Sequence, residues 1–339
     1  MNSLPKVELH LHLDCCVSYA CVRALRPQVD LRAYREDYVA PEKCTNLVDF
    51  LTRPTRIVEL MQTEPALRLV IEDLFDQLQR DGVIYAEIRF APLLHVDGEL
   101  SASEVVRIVE SAVADASAAT GVAARAILCT LRHYTAEQSM ETARLAREAL
   151  ERGVVVALDI AGDEAGFPLD AHADAFAYAR WHGVQLTAHA GESAGPESVW
   201  ETLRRLEPRR IGHGVRSIED EALLAHLIER DIHLEVCPTS NVQTMAGEVP
   251  AYADHPVDAL YRRGVPLSIS TDARTVCDVT LAREYERLRG VFGWTDADLS
   301  RCNAAAVRAS FAPEELKARL LREIADARAT VRDAAPTSR

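Results

Sequence analysis

Eight short apolar runs, rich in β-branched residues and each closing on polar or glycine residues, punctuate the chain. They fall at residues 7–14, 83–92, 124–133, 154–162, 184–191, 210–214, 233–240 and 266–272. Their length and branching suit strands buried on both faces, as in a parallel sheet. The stretches between them carry apolar residues at three- and four-residue steps, the period of an amphipathic helix. Helices are predicted over residues 104–119, 135–152, 169–181, 196–206, 218–230 and 256–263, the first behind Ser101 and Glu104, which resemble a capping box. From the third run onward the starts lie 23 to 33 residues apart, one βα unit each time. Eight such units predict an α/β fold, a closed (β/α)8 TIM barrel.

Residues 15–82 break the rhythm. Helical patterns at 51–61 and 65–80 mark them as a helical insertion in the first βα loop, on the side where such barrels carry their active sites. After Phe292 two more C-terminal helices are expected, the last near residues 313–331. No Gly/Ser- or Pro-rich linker divides the chain, so residues 1–339 are expected to form a single domain.

Charge narrows the possible partners. The count is 38 Lys+Arg against 52 Asp+Glu, a net −14. That disfavours nucleic acid and anionic membranes, which need a basic field. The apolar share of 48% is that of a globular protein. A chain this long buries a large core without a metal or disulfide, so a metal would be there for chemistry. The eight cysteines form no Cys-x-x-Cys pair and are read as reduced thiols. The first eight residues do not form a signal peptide, and no apolar run reaches the ~18 residues of a membrane span. A cytoplasmic protein is expected.

The ends of the runs carry residues that a core does not want. The first closes on His10-x-His12-x-Asp14, whose alternate positions share one face of a strand. The fifth closes on His189-Ala-Gly-Glu192, the sixth on Gly212-His213-Gly214 and the eighth on Ser270-Thr271-Asp272. Catalytic groups of such barrels sit at the C-terminal strand ends. Three histidines and an aspartate meeting there suit Zn²⁺ or another first-row divalent ion. Among the other histidines, only His133 is placed near the site. A P-loop, G-x-G-x-x-G, G-x-S-x-G, H-E-x-x-H and the H-x-E/P-C-x-x-C deaminase signature are all missing from the sequence.

Taken in order, His10-Leu-His12-Leu-Asp14, Asp159-Ile-Ala-Gly162-Asp163-Glu164, His189-Ala-Gly-Glu192, Ile211-Gly-His213-Gly, Cys237-Pro-Thr-Ser240-Asn241 and Ser270-Thr-Asp272 resemble the adenosine deaminase family of the amidohydrolase superfamily. The resemblance runs from about residue 4 to 290. It implies one Zn²⁺ held by His10, His12, His189 and Asp272. It implies Glu192 as the acid that protonates purine N1, and His213 as the group that orients and helps deprotonate the attacking water. Asp272 would belong to the catalytic set as well as to the metal. Asp14 would bind a sugar hydroxyl and the Gly162 N–H purine N3, with His12 also facing the substrate. Asp159 and Ser240 would stand behind the ligands. The chemistry is coherent. Hydroxide adding to an aromatic C–NH₂ carbon breaks ring aromaticity, and protonation of the adjacent nitrogen lowers that cost.

Two positions depart from the family pattern. Ala273 stands where many members have a second Asp that binds purine N7; a methyl group cannot, leaving water or Arg274 for that task. Cys15 stands where Gly is usual, and its side chain either narrows the sugar side of the pocket or points away. The expected reaction is therefore zinc-dependent hydrolytic deamination of adenosine or 2′-deoxyadenosine. The alternative is another small-molecule aminopurine: adenine, an adenylate, 6-amino-6-deoxyfutalosine or a modified nucleoside. A catalytically idle barrel that binds a ligand or signals, and another metal-dependent amidohydrolase cleaving amides or phosphoesters, are the remaining readings. Oligomeric state stays open. Elsewhere, Glu87 and Arg89 are expected to form a buried ion pair, the three tryptophans to pack, and Arg204, Arg205, Arg209 and Arg210 to form a solvated face.

Overall fold

The computed structural model describes residues 4–244 and 249–334. The first three residues of the segment judged for a signal peptide lie outside these. Eight parallel strands form one sheet in sequential order: β1 (Lys6–His12), β2 (Val83–Phe90), β3 (Ala123–Leu131), β4 (Val155–Ala161), β5 (Gln185–Ala190), β6 (Arg210–His213), β7 (His233–Val236) and β8 (Leu267–Ile269). The ring closes where the His12 N–H donates to the Asp272 carbonyl at 2.9 Å and the Asp272 N–H to the His10 carbonyl at 3.0 Å. The chain is a (β/α)8 barrel, as the eight-run pattern predicted.

The insertion holds four helices, α1 (Tyr19–Leu25), α2 (Leu31–Tyr38), α3 (Leu47–Val58) and α4 (Glu64–Asp81). Periodicity had shown only the last two. α1 and α2 are short and start on side-chain caps, Ser18 and Asp30, rather than on a long apolar stripe. Around and beyond the ring follow α5 (Ala102–Thr120), α6 (Ala136–Leu150), α7 (Ala173–Trp181), α8 (Pro196–Arg205), α9 (Glu221–Glu229), α10 (Pro238–Gln243), α11 (Val257–Arg262) and α12 (Leu281–Phe292). The Ser101–Glu104 capping box is formed at α5. α13 (Asp296–Ala309) and α14 (Glu314–Ala334) complete the tail. Among the described residues, no helix is long and apolar enough to cross a membrane.

Charge fills part of the barrel interior. Glu87 and Arg89 are both fully buried but do not pair with each other. Arg89 reaches Asp159 at 2.7 Å and Glu235 at 2.5 Å, while Glu87 meets Arg210 at 2.6 Å. Two residues apart on one strand, these side chains run alongside each other and find their partners across the lumen instead. Arg210 is thus no part of a solvated face; its guanidinium also stacks on Phe311, 3.8 Å from the ring centre. The Phe311 N–H donates to Glu87, so the tail is tied to the N-terminal end of the barrel. Trp181 is a second correction: the last residue of α7, it is 86% exposed. Trp294 is buried as expected. All eight cysteines are buried and free, in keeping with reduced thiols.

Candidate active site

Local backbone turns bring the polar strand ends to one place. β1 pairs with β2 in a register that slips between Glu8 and Leu11. Val7 and Leu9 pack with Tyr85, Ala306 and Val307, whereas Leu11 joins the larger outer core. The slip turns His10 inward, and alternation then brings His12 to the same side. β1 ends at His12, and Asp14 reaches the site from a short 3-10 turn rather than by strand alternation. At the other strand ends His213 and Asp272 hold φ of 60° and 63°, a left-handed conformation uncommon for non-glycine residues and typical of functional sites. Gly212 is required for another reason. A Cβ there would lie 2.8 Å from His10 Cε1 and 3.3 Å from His189 Cγ, so only glycine lets the two imidazoles approach.

His10 Nδ1 donates to Glu235 at 2.8 Å, which leaves Nε2 as the free lone pair; that nitrogen is buried and has no hydrogen-bond partner. His12 Nε2 and His189 Nε2 face each other at 3.1 Å. Asp272 Oδ1 lies 3.4 Å from Nε2 of both His10 and His12. Buried nitrogens turned toward one another and toward a carboxylate suit a shared cation, and this N₃O set fits Zn²⁺. The same proximity holds for His10, His213 and Asp272. Polar side chains hold these candidate ligands from behind: Asp159 is 3.2 Å from His189 Nδ1, and Ser240 Oγ donates to Asp272 Oδ2 at 2.6 Å. Such partners fix ring orientation and tautomer.

These groups open on a cavity of about 330 Å³. His12, Asp14, Gly162, His189, Glu192, His213 and Asp272 line its floor. Cys15 lines it too, its thiol 3.7 Å from Asp14 Oδ1, which resolves the question of where that side chain points. The upper wall is apolar, built by Leu47, Phe50, Leu51, Pro54 and Val58 of α3 with Leu131 and Phe167. His133 lies on the lining, as the sequence suggested. No Lys or Arg lines it among the described residues. Ala273 is fully buried among apolar side chains and is not part of the lining. Arg274 does not line the cavity either: its Nη2 turns to Glu8 at 2.7 Å and Asp81 at 2.8 Å.

Burial shapes the site's proton affinities. Glu192 is held well above the usual carboxylate range, first by burial and then by the charges of Asp272 and Glu164. Burial likewise raises Asp14 to about 6. His213 is pushed well down, by burial and then by its neighbour His10. Its Nε2 lies 3.7 Å from Glu192 Oε2.

Several residues acquire a place here that the sequence did not announce. Glu235 joins His10 to both Arg89 and Arg210. A charge inside the buried run 233–240 was the available signal. Arg132 donates to the carbonyl of His189 at 3.1 Å. Glu164 binds the backbone that carries Glu192. His255 had no distinguishing signal at all.

The adenosine deaminase family model matches residues 5–327. An adenosine deaminase of Clostridium acetobutylicum is 34% identical over 329 residues, covering 95% of this chain and 97% of its own. One from Enterococcus faecalis is 36% identical, covering 94% and 95%. Among solved structures, the adenine deaminase of Arthrobacter aurescens superposes with a TM-score of 0.87 at 26% identity, covering 96% of this chain and 99% of that one. Sequence and fold agree: the chain belongs to the adenosine deaminase family, hydrolases of carbon–nitrogen bonds in cyclic amidines.

Proposed function

We propose that this protein deaminates an adenine nucleoside, adenosine or 2′-deoxyadenosine, consuming water and releasing ammonia and the 6-oxo nucleoside. The observation that carries this is the convergence of His10, His12, His189 and Asp272, the last three lining the cavity floor beside buried Glu192. Those four residues would hold one Zn²⁺, which when bound brings water to a pKa of about 7 and so supplies a nucleophile at neutral pH. Glu192, whose proton affinity is raised by burial, protonates N1 and makes C6 electrophilic. His213 lines the same floor, where it orients the attacking oxygen. Gly162 offers its backbone N–H to N3, and Asp14 takes a sugar hydroxyl. Asp159 and Ser240 hold His189 and Asp272 in place.

A second reading, an aminopurine other than adenosine, is favoured by one observation: the Cys15 thiol already engages Asp14, the intended sugar partner. A nucleotide fits less well. The carboxylates of Asp14, Asp163, Glu192 and Asp272 line the cavity with no Lys or Arg among the described residues there to meet a phosphate. Steady-state kinetics of the zinc-loaded protein on adenosine, 2′-deoxyadenosine, adenine, 6-amino-6-deoxyfutalosine and AMP tests both readings. Adenosine or deoxyadenosine should give the highest kcat/KM; a higher value for another member replaces the proposal.

A further inference from the structure

His213 is held from behind by a chain of hydrogen bonds whose direction is set at its far end. Its Nδ1 lies 3.0 Å from Asn241 Nδ2. Asn241 Oδ1 lies 3.2 Å from His255 Nε2. His255 Nδ1 in turn lies 3.1 Å from the backbone nitrogen of Val257. All three side chains are buried, and Asn241 sits on α10, at the end of β7, with His255 just before α11.

The backbone N–H of Val257 can only donate. His255 Nδ1 must therefore be the lone pair, and the His255 proton must sit on Nε2. That N–H needs an acceptor, which is Asn241 Oδ1. The amide then presents its NH₂ to His213, whose Nδ1 must accept. Turning the amide over would set NH₂ against the His255 N–H, and moving that proton to Nδ1 would set it against Val257. Burial keeps His255 neutral, with its proton affinity lowered to about 3, so the chain is not broken by a second proton on the ring.

We propose that His255, acting through Asn241, fixes His213 as the tautomer with its proton on Nε2, so that His213 faces the cavity as a hydrogen-bond donor and not as a base. Its Nε2–H is then available to hold the lone pair of the attacking oxygen and to direct that oxygen toward the purine ring. Taking a proton at Nε2 would require the whole chain to reverse against a backbone group that cannot change roles. His255 is a positioning residue, about which neither the strand-end pattern nor the family motifs say anything. This role for His213 rests on the deaminase reading, but the tautomer itself does not.

The two are separable by experiment. Protein labelled with ¹⁵N-histidine, examined metal-free and zinc-loaded by long-range ¹H–¹⁵N spectra, shows which nitrogen of each ring carries the proton; His213→Gln identifies the signal. Nε2–H with an unprotonated Nδ1 is expected in both forms, and Nδ1–H in either would overturn the proposal whatever the substrate. Asn241→Asp supplies the kinetic arm. A carboxylate can only accept, so it forces the His213 proton onto Nδ1 and leaves Nε2 a lone pair. A donor role predicts a fall in kcat of about 100-fold, with KM little changed and bound zinc unaltered. A base role predicts retained or higher kcat, which would sink the proposal. His255→Leu should cost about tenfold in kcat, and His255→Gln, which can still donate to Asn241, should recover most of it. Equal rates for the two His255 variants would count against the relay.

Discussion

The carboxylate of Glu164 accepts the backbone N–H of Glu192 at 3.0 Å and also takes those of Gly191, Ser193 and Ala194. Ser198 Oγ adds a fifth hydrogen bond. One side chain from the loop after β4 thus shapes the segment that carries the proposed acid. Its charge also pushes the proton affinity of Glu192 upward. Glu164→Gln replaces an acceptor oxygen with a donor facing N–H groups. Displacement of a reacting group by about 1 Å costs roughly 100-fold in rate. A loss of that order in kcat is expected, with zinc content preserved; wild-type kcat would reduce Glu164 to scaffolding.

Glu192→Gln keeps the shape of the side chain but removes the transferable proton. The expected loss is about 10²–10⁴-fold in kcat, the range of a general acid. Zinc per chain, measured by elemental analysis, should stay at the wild-type value. Ammonia release at an undiminished rate would remove Glu192 from the acid role.

Arg89 orients two proposed ligands at once, His189 through Asp159 and His10 through Glu235. Arg89→Met would strip buried Asp159 of its guanidinium partner and leave Glu235 to Arg210 alone, a loss of about 3–5 kcal/mol in unfolding free energy. Glu235→Gln is milder and more informative. It weakens the acceptor for the His10 Nδ1–H, and zinc affinity should drop by about 10–100-fold in a chelator competition. Unchanged affinity would mean that His10 is oriented by packing alone.

Acid should destabilise the fold before most carboxylates titrate. Burial holds His233 and His255 down at about 3 and His95 at about 4, against 6.5 for a free imidazole. Above pH ~6.5 neither the folded nor the unfolded chain protonates them, and full stability is present. Below it the unfolded chain binds protons that the folded one refuses. Stability then falls by about 1.4 kcal/mol per pH unit for each histidine until the folded values are reached. Urea midpoints between pH 7 and 5 measure this, and His233→Gln should flatten the slope by one histidine's share.

Cys15→Gly removes the thiol beside Asp14 and widens the sugar side of the cavity. KM for adenosine should change several-fold while kcat/KM for free adenine, which has no sugar, stays as it was. A parallel change for both would place the effect on the ring instead.

The barrel was legible in the sequence because a strand buried on both faces must be apolar throughout, and eight such runs recur at βα spacing. The proposed ligands and acid were legible because polar residues at the ends of those runs have no structural reason to be there. The small helices α1 and α2 were not, since capped seven- and eight-residue helices carry too little periodicity to stand out. Neither were the partners of Glu87, Arg89 and Arg210. Pairing across a barrel joins residues up to 146 positions apart, and spacing along a chain holds no record of it. Ala273 and Arg274 show the same limit. Their place in the chain suggested the pocket, but the left-handed turn at Asp272 sends one into the apolar core and the other toward Glu8 and Asp81. The sequence by itself determined which chemical groups are present and at which end of the barrel they stand. Only the tertiary structure decided which nitrogen of each imidazole faces the cavity, because that choice belongs to partners such as Glu235 and Asn241, which the closed ring brings within hydrogen-bonding distance.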